Sequence, residues 1–419
     1  MKILWLINSE IPCISEDEGV RKNMVNEGWV TGMMSALTEN PEICLTVLYP
    51  QSRSREPERR RMGGIQVIGY FRDWAAGFYR EELTRTFAGF LREENPDVIH
   101  VMGTEFPHSL SMCQAAGEAG MPERVVLSMQ GVISKCAEAY CLYLPWWVRY
   151  GMTLRDLRRG NVRAQQKEFA RRGVYEIQAL SMAKHVIGRT EWDRACAKQI
   201  NPEITYHFNN EVLRPGFYEN QWSLEDCTRH TLFLSQGSYP IKGLHMAIHG
   251  LAVIKKQYPD VVLKIAGDNI LLRAGWRRSL YPNYIARLIR RYGLQDNVVF
   301  LDKQDEQAMI RQMKQAQVLI STSVLENSPN SVGEAMILGM PVVSSDVGGV
   351  KNFIRHGENG FVYPSDEPYM MAEYVMELFR QDDLARAVGQ KARQAALEIF
   401  DRQTNAAALA EIYRTIAAQ

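Results

Sequence analysis

Two series of short apolar runs, each followed by a helix-like segment, constrain this chain more than any other feature. The first series is "KILWLIN" (2–8), "ICLTVLYP" (43–50), "IQVIGY" (65–70), "DVIHVMG" (97–103), "RVVLSMQG" (124–131) and "HVIGRT" (185–190). The second is "TLFLSQG" (231–237), "VVLKIAGD" (261–268), "NVVFLD" (297–302), "QVLISTS" (317–323), "MPVVSSD" (340–346) and "GFVYP" (360–364). Apolar runs without strict alternation suit strands buried on both faces, and strands alternating with helices predict parallel, doubly wound sheets. Residues 201–231 carry neither pattern. The chain therefore reads as α/β, with two Rossmann-like domains at 1–215 and 216–400. A terminal helix over 401–419 is expected to pack back on the first. A length of 419 residues also exceeds one ordinary core.

Charge excludes little but directs attention inward. With 49 Lys and Arg against 48 Asp and Glu, the net charge of +1 gives no reason to expect nucleic acid. Seven cysteines, an odd number without a CxxC pair, suit free thiols in a reducing cytoplasm. The chain opens on an apolar strand with no leader pattern, and its longest apolar stretch, "CLYLPWWV" (141–148), is far below the roughly 18 residues that span a bilayer. A cytoplasmic protein is expected.

In a doubly wound sheet, ligands bind beyond the carboxyl ends of the strands. One such segment, "SVLENSPNSVGEAMILGMPVVSSDVGG" (323–349), holds Glu326 and Glu334 with seven residues between them. Ser328 has the chemistry of an N-cap and Pro329 suits the first helical position, so a helix is expected through "NSVGEAMIL", ended by Gly339 and Pro341. Free N–H groups around Ser328 to Val332, those of Asn330 and Ser331 among them, would then offer an anion site. Glu334 would lie about 7–8 Å along the axis, placed to accept a ribose diol. Glu326 could grip the hydroxyls of a second sugar. A phosphate with a sugar on each side describes a nucleotide-sugar. The competing reading is a surface loop beside a dipole-complementing glutamate, and on spacing alone the two stand level.

Upstream, "SQGSYPIKGLHMAI" (235–248) places Gly237 for close backbone approach and Lys242 for a phosphate. No Walker A sequence is present. In the first domain, Gly28 stands just ahead of a helix in "NEGWVTGMM".

These elements together resemble the retaining GT-B glycosyltransferases of family 4, of the capsular and exopolysaccharide type. Segments 317–363 carry the resemblance most specifically. It implies two facing Rossmann-like domains with an interdomain cleft, a nucleotide-sugar donor held mainly by the second, and an acceptor held mainly by the first. It further implies that Glu334 binds ribose, Glu326 the donor sugar, and the 328–331 turn the sugar and diphosphate. Lys242 and Gly28 then serve the phosphates, and Glu326 and Lys242 carry the catalytic roles. Two positions depart from the family pattern. Ser238 stands where arginine usually follows the glycine, and Gln130 stands where many members have histidine, so no side-chain base is named. Lysine and helix dipole can carry the diphosphate charge, so no metal or other cofactor is expected.

The remaining expectations concern the first domain. His100, Glu105, His108, Gln130 and Arg189 lie at strand ends and are candidates for the acceptor side, with a structural salt bridge the rival reading for Arg189. His245 and His249 have zinc-compatible spacing but no third ligand. Arg149 to Arg172 carries eight basic residues against two acidic ones, next to "YCLYLPWW". That segment suits either an anionic membrane, and hence a lipid-linked acceptor, or a solvated helix. "SRSREPERRR" (52–61) reads as a basic loop. The expected activity is transfer of a hexose from a nucleotide-sugar, with uridine the base on the family's habits, to a glycan or lipid-linked saccharide of a surface polysaccharide. A nucleotide-sugar 2-epimerase and a non-catalytic nucleotide-binding partner are the alternatives.

Overall fold

Strand β1 (Lys2–Leu6) shows why the apolar runs do not alternate: Ile3 and Trp5 enter one hydrophobic cluster, while Leu4 and Leu6 enter another. Both faces of the sheet are covered, so every position after the exposed Lys2 is apolar. The computed structural model describes residues 1–9, 28–52, 54–72 and 77–419. They fall into two compact units. The first comprises Met1–Ala137, Glu168–Val212 and Phe400–Gln419, and the second Glu138–Lys167 and Leu213–Ile399.

In the first unit β1 is joined by β2 (Cys44–Gln51), β3 (Glu58–Met62), β4 (Ile65–Phe71), β5 (Val98–Met102), β6 (Val125–Ser128), β7 (His185–Gly188) and β8 (Thr205–Phe208). Their order is β3-β4-β2-β1-β5-β6-β7-β8, parallel except for the β3–β4 pair. Two of these strands escaped the apolar pattern. β3, expected as a basic loop, is "ERRRM" on the sheet edge, where exposed arginines discourage further pairing. Arg59 of that strand pairs with Glu93 and Glu94. β8 lies at the opposite edge, within the stretch expected to be irregular, and none of its residues is fully buried.

The helix Arg402–Ala417 belongs to the first unit and buries Leu409, Tyr413 and Ile416 in its core. Tyr413 anchors it: its hydroxyl accepts from Trp5 Nε1 at 2.8 Å and hydrogen-bonds His100 Nδ1 at 2.6 Å. His100 Nε2 in turn meets Ser128 Oγ at 2.6 Å.

The second unit's sheet contains β9 (Thr231–Leu234), β10 (Val262–Ile265), β11 (Val298–Phe300), β12 (Val318–Ser321), β13 (Val342–Ser345) and β14 (Phe361–Tyr363). The order β11-β10-β9-β12-β13-β14 is parallel throughout, so chain direction across the sheet reverses between β9 and β12. Residues 138–167, expected within the first domain, belong to this unit. They are tied to its helix Leu280–Arg291: Trp147 packs edge-on against Tyr284 at 5.5 Å, and Asp156 accepts the Leu280 N–H at 3.0 Å. No helix of the described residues is long and apolar enough to cross a membrane.

Burial holds His100, in the first unit, down to about 3. The unfolded chain would titrate it near 6.5, so its contribution is present above that pH and lost as pH falls toward 3. His100→Asn should therefore flatten the stability change between about pH 7.5 and 5.5 by about 1.4 kcal/mol. Urea midpoints at the two pH values read this out. An unchanged slope would mean that the native imidazole takes up the proton.

Candidate active site

The loops leaving β9 and β12 meet at the switch point of the second sheet. Gly243, at φ 67°, makes this contact possible, because a Cβ there would lie 1.7 Å from the Thr322 carbonyl oxygen. Thr322 Oγ1 donates to Gly243 O at 3.1 Å, and Val324 N–H donates to Ile241 O at 2.8 Å. Gly237 is packed less tightly, with Leu244 Cδ2 3.0 Å from where its Cβ would be. The lacing brings Lys242, at the end of the short turn Pro240–Lys242, against Glu326, with Nζ 2.7 Å from Oε2. Ser323 Oγ donates to the same oxygen at 3.1 Å. The Glu326 carbonyl accepts from Gly349 N–H at 3.2 Å, which brings in the loop after β13. Ser238 receives only a long contact from Gln236 Nε2, at 3.4 Å.

The helix expected after Glu326 runs Asn330–Leu338 and ends, as expected, at Gly339, whose φ is 80°. Its start differs by one residue. Pro329, with ψ 108°, is still extended and occupies the N-cap position, while Ser328 lies outside. The Pro329 carbonyl takes the Val332 N–H at 2.9 Å. The N–H groups of Asn330 and Ser331 have no acceptor among the described residues. Ser331 Oγ accepts from Ser235 Oγ at 3.0 Å, tying this turn to the loop after β9.

Glu334 is buried, and its partner was not foreseen. Arg214 Nε and Nη2 reach its two oxygens at 2.6 and 2.8 Å, with side-chain exposures of 13% for Arg214 and 6% for Glu334. Burial pushes the carboxyl above its usual range, Arg214 pulls it part of the way back, and nearby Glu306 adds to the rise. Burial opposes the charge on Arg214 as well, but Glu334 more than offsets this and the guanidinium is held above its ordinary value. The two-point contact fixes the orientation of the carboxyl group. In the sequence, Arg214 stands in "VLRPGF", outside both apolar series, and only its arginine type hinted at a role.

In the first unit the expected residues are brought together but engaged among themselves. Arg189 is buried and forms an ion pair with Glu211 at 2.7 Å. It also donates to Gln130 Oε1 at 2.9 Å and Met129 O at 3.2 Å. His100, Gln130 and Arg189 border a cavity of about 30 Å³, room for about two waters. His100 and His108 are core histidines rather than surface-lining groups, because the strand β5 and the helix His108–Glu118 carry both inside. Glu105 is half-buried, with Oε1 accepting the Gly131 N–H at 3.1 Å. Glu176, which sequence reading passed over, gathers Thr104 Oγ1 and the Ile133 and Ser134 N–H groups at 2.9, 2.9 and 3.0 Å, fastening the loops after β5 and β6. Gly28 opens the helix Gly28–Thr38, and the loop before it, residues 10–27, lies outside the described residues.

In the second unit His245 is buried and His249 bonds Tyr292 at 3.0 Å. No group of three metal-ligating side chains occurs among the described residues.

Removing the Arg214 cation would strand a buried carboxylate. Arg214→Met should destabilise the second unit by about 3–5 kcal/mol, measured by denaturant unfolding. Adding Glu334→Met should restore much of that loss. A cost below about 1 kcal/mol for the single change would show that solvent replaces the arginine.

Residues 220–395 match the family described as glycosyl transferases group 1. The N-acetyl-alpha-D-glucosaminyl L-malate synthase of Bacillus anthracis is 30% identical over 116 residues, 28% of this chain and 30% of the relative. The stretches matched to three curated relatives span 30%, 41% and 56% of their lengths. Among solved structures, sucrose-phosphate synthase from Thermosynechococcus elongatus superposes with a TM-score of 0.70 at 16% identity, covering 100% of both chains. HepE from Anabaena, in complex with UDP-glucose, gives 0.68 at 17%, covering 99% of this chain and 100% of that one. Their fold is that of the two sheets seen here, the GT-B architecture. Over residues 220–395 the second unit is thus similar to the group 1 glycosyl transferases.

Proposed function

We propose that the chain is a retaining hexosyltransferase that takes its sugar from a nucleotide-sugar, with UDP as the nucleotide. The acceptor is a glycan or lipid-linked saccharide of a surface polysaccharide, reached at the inner face of the cell membrane. The observation that carries the reading is the convergence at the β9–β12 switch point. There Lys242, Glu326 and the Asn330 and Ser331 N–H groups are held by three laced loops, with Glu334 fixed by Arg214 on the helix that follows. The likeness to a structure that holds UDP-glucose supports the choice of base.

In this reading Glu334 accepts the ribose diol and Glu326 the hydroxyls of the transferred sugar. Lys242 and the helix N-terminus stabilise the diphosphate as it gathers charge. The bond from the sugar C1 to the phosphate oxygen breaks while the acceptor oxygen bonds C1 on the same face. The acceptor's proton passes to the departing phosphate oxygen, so no protein base is required. Gln130, tied to Arg189, is consistent with that absence.

Thermal unfolding with UDP, GDP and ADP tests the donor site first. At a hundred times its dissociation constant the correct nucleotide adds about 2.7 kcal/mol, and Glu334→Ala removes the shift. No response to any nucleotide would overturn the reading. With donor and an acceptor mixture, Lys242→Ala and Glu326→Ala should each lower kcat/KM on the order of a hundredfold or more. Chelator should leave the wild-type rate unchanged. Conversion of the donor sugar without an acceptor would instead identify an epimerase.

A further inference from the structure

The segment Glu138–Lys167 and the stretch after β10 build one surface on the second unit. The join is specific. Asp156 closes the capping box of the helix Leu154–Arg159 with Thr153, and its Oδ2 also accepts the Leu280 N–H at 3.0 Å. Gly151 abuts Leu280 so closely that a Cβ would lie 2.6 Å from its Cδ2. Arg287 caps the Trp147 ring at 5.6 Å while Trp147 stands against Tyr284. The helix Leu154–Arg159 thereby lies beside the turn Gly275–Arg277.

That framework displays large apolar side chains that nothing covers. Leu154 and Leu157, three apart on one helix face, are 75% and 68% exposed. Trp146, Leu272 and Trp276 are 75%, 80% and 74% exposed. Soluble surfaces rarely gather such groups without a partner. The charge around them is mostly of one sign. Residues 138–167 and 266–291 contain twelve of the chain's 49 Lys and Arg against three of its 48 Asp and Glu, namely Glu138, Asp156 and Asp268. Asp156 is buried and engaged by Thr153 and Leu280, and Asp268 pairs with Lys303 at 3.7 Å. A chain of net charge +1 thus concentrates its positive charge where it also exposes tryptophan and leucine.

We infer that this surface docks on an anionic lipid bilayer, with Leu154, Leu157, Leu272 and Trp276 entering the headgroup region and the surrounding arginines meeting lipid phosphates. Charge complementarity selects this occupant. Arginines around a leucine and tryptophan tip suit an interface that is apolar below and negatively charged above. Folded elements hold both segments, so little ordering is needed on contact. The inference deepens the membrane placement proposed above, but it does not depend on the donor chemistry, and the two fail separately.

The test is sedimentation of the full chain with vesicles of phosphatidylcholine alone and of phosphatidylcholine mixed with phosphatidylglycerol. Wild type should pellet with the mixed vesicles, bind the neutral ones on the order of tenfold more weakly, and be released by salt. Leu272→Ser/Trp276→Ser and Arg158→Glu/Arg273→Glu should each lower binding to mixed vesicles by on the order of tenfold. Both variants should keep the wild-type unfolding temperature and its shift with nucleotide, which separates this outcome from misfolding or a failed donor site. Wild type left in the supernatant with anionic vesicles overturns the inference. So does equal pelleting of wild type and both variants. If the same substitutions instead abolish a concentration-dependent self-association or binding to an acidic protein or nucleic acid, with vesicle binding absent, the surface serves that partner and the inference falls.

Discussion

β9 and β12 are neighbours in the second sheet although more than eighty residues separate them in the chain, and the loops that leave them must pass backbone over backbone. Gly243 is where they do so. With the Thr322 carbonyl 1.7 Å from any Cβ, no side chain fits, and the left-handed φ of 67° suits glycine in its own right. Two hydrogen bonds across this contact set the spacing between Lys242 and Glu326 through the backbone instead of through long side chains. The loop after β13 then locks the Glu326 carbonyl from the far side. Groups positioned by strand ends in this way keep their geometry without help from a ligand.

What the sequence disclosed follows from the same physics. Strands covered by apolar packing leave unbroken apolar runs, so twelve of the fourteen strands were visible, and Gly339 followed by Pro341 marked a helix end that any chain would have to obey. The two edge strands of the first sheet were not visible because neither presents an apolar face: β3 is mostly arginine, and β8 is only partly buried. Arg214 was overlooked for a different reason. A lone arginine in a connecting stretch carries no periodicity, and its importance comes from a carboxylate 120 residues away. The same holds for Glu211, whose pairing with Arg189 is the buried salt bridge that stood as the rival reading for that arginine. Residues 138–167 were placed with the wrong unit because chain order predicts domain membership only when no segment leaves its domain and returns. Trp147 and Asp156 hold that excursion, and neither contact leaves a local signature.

Net charge was the least informative quantity and local charge among the most. The value of +1 averages a basic, apolar surface with a more acidic remainder. At the donor loops the same averaging hides how few cations are available. Ser238 contributes none, so in the loop after β9 the only side-chain cation is Lys242. On the donor reading, the electrostatic demand of a departing diphosphate then falls on Lys242 and on the N–H groups at Asn330 and Ser331.

Glu326 and Glu334 are both already paired, and the difference between their partners matters. Arg214 holds Glu334 through a planar fork, a bidentate arrangement that fixes the carboxyl group's orientation yet leaves it two further acceptor positions for a diol. Lys242 is a point charge on a flexible stem, and its pair with Glu326 is the less buried of the two, at 21% and 18% exposure. On the donor reading, a diphosphate draws Lys242 away, and Glu326 is released to the sugar hydroxyls that arrive with it. Neither charge is left without a partner at any stage. A fork to fix one carboxylate and a movable cation to lend the other is an arrangement that arginine and lysine could not exchange.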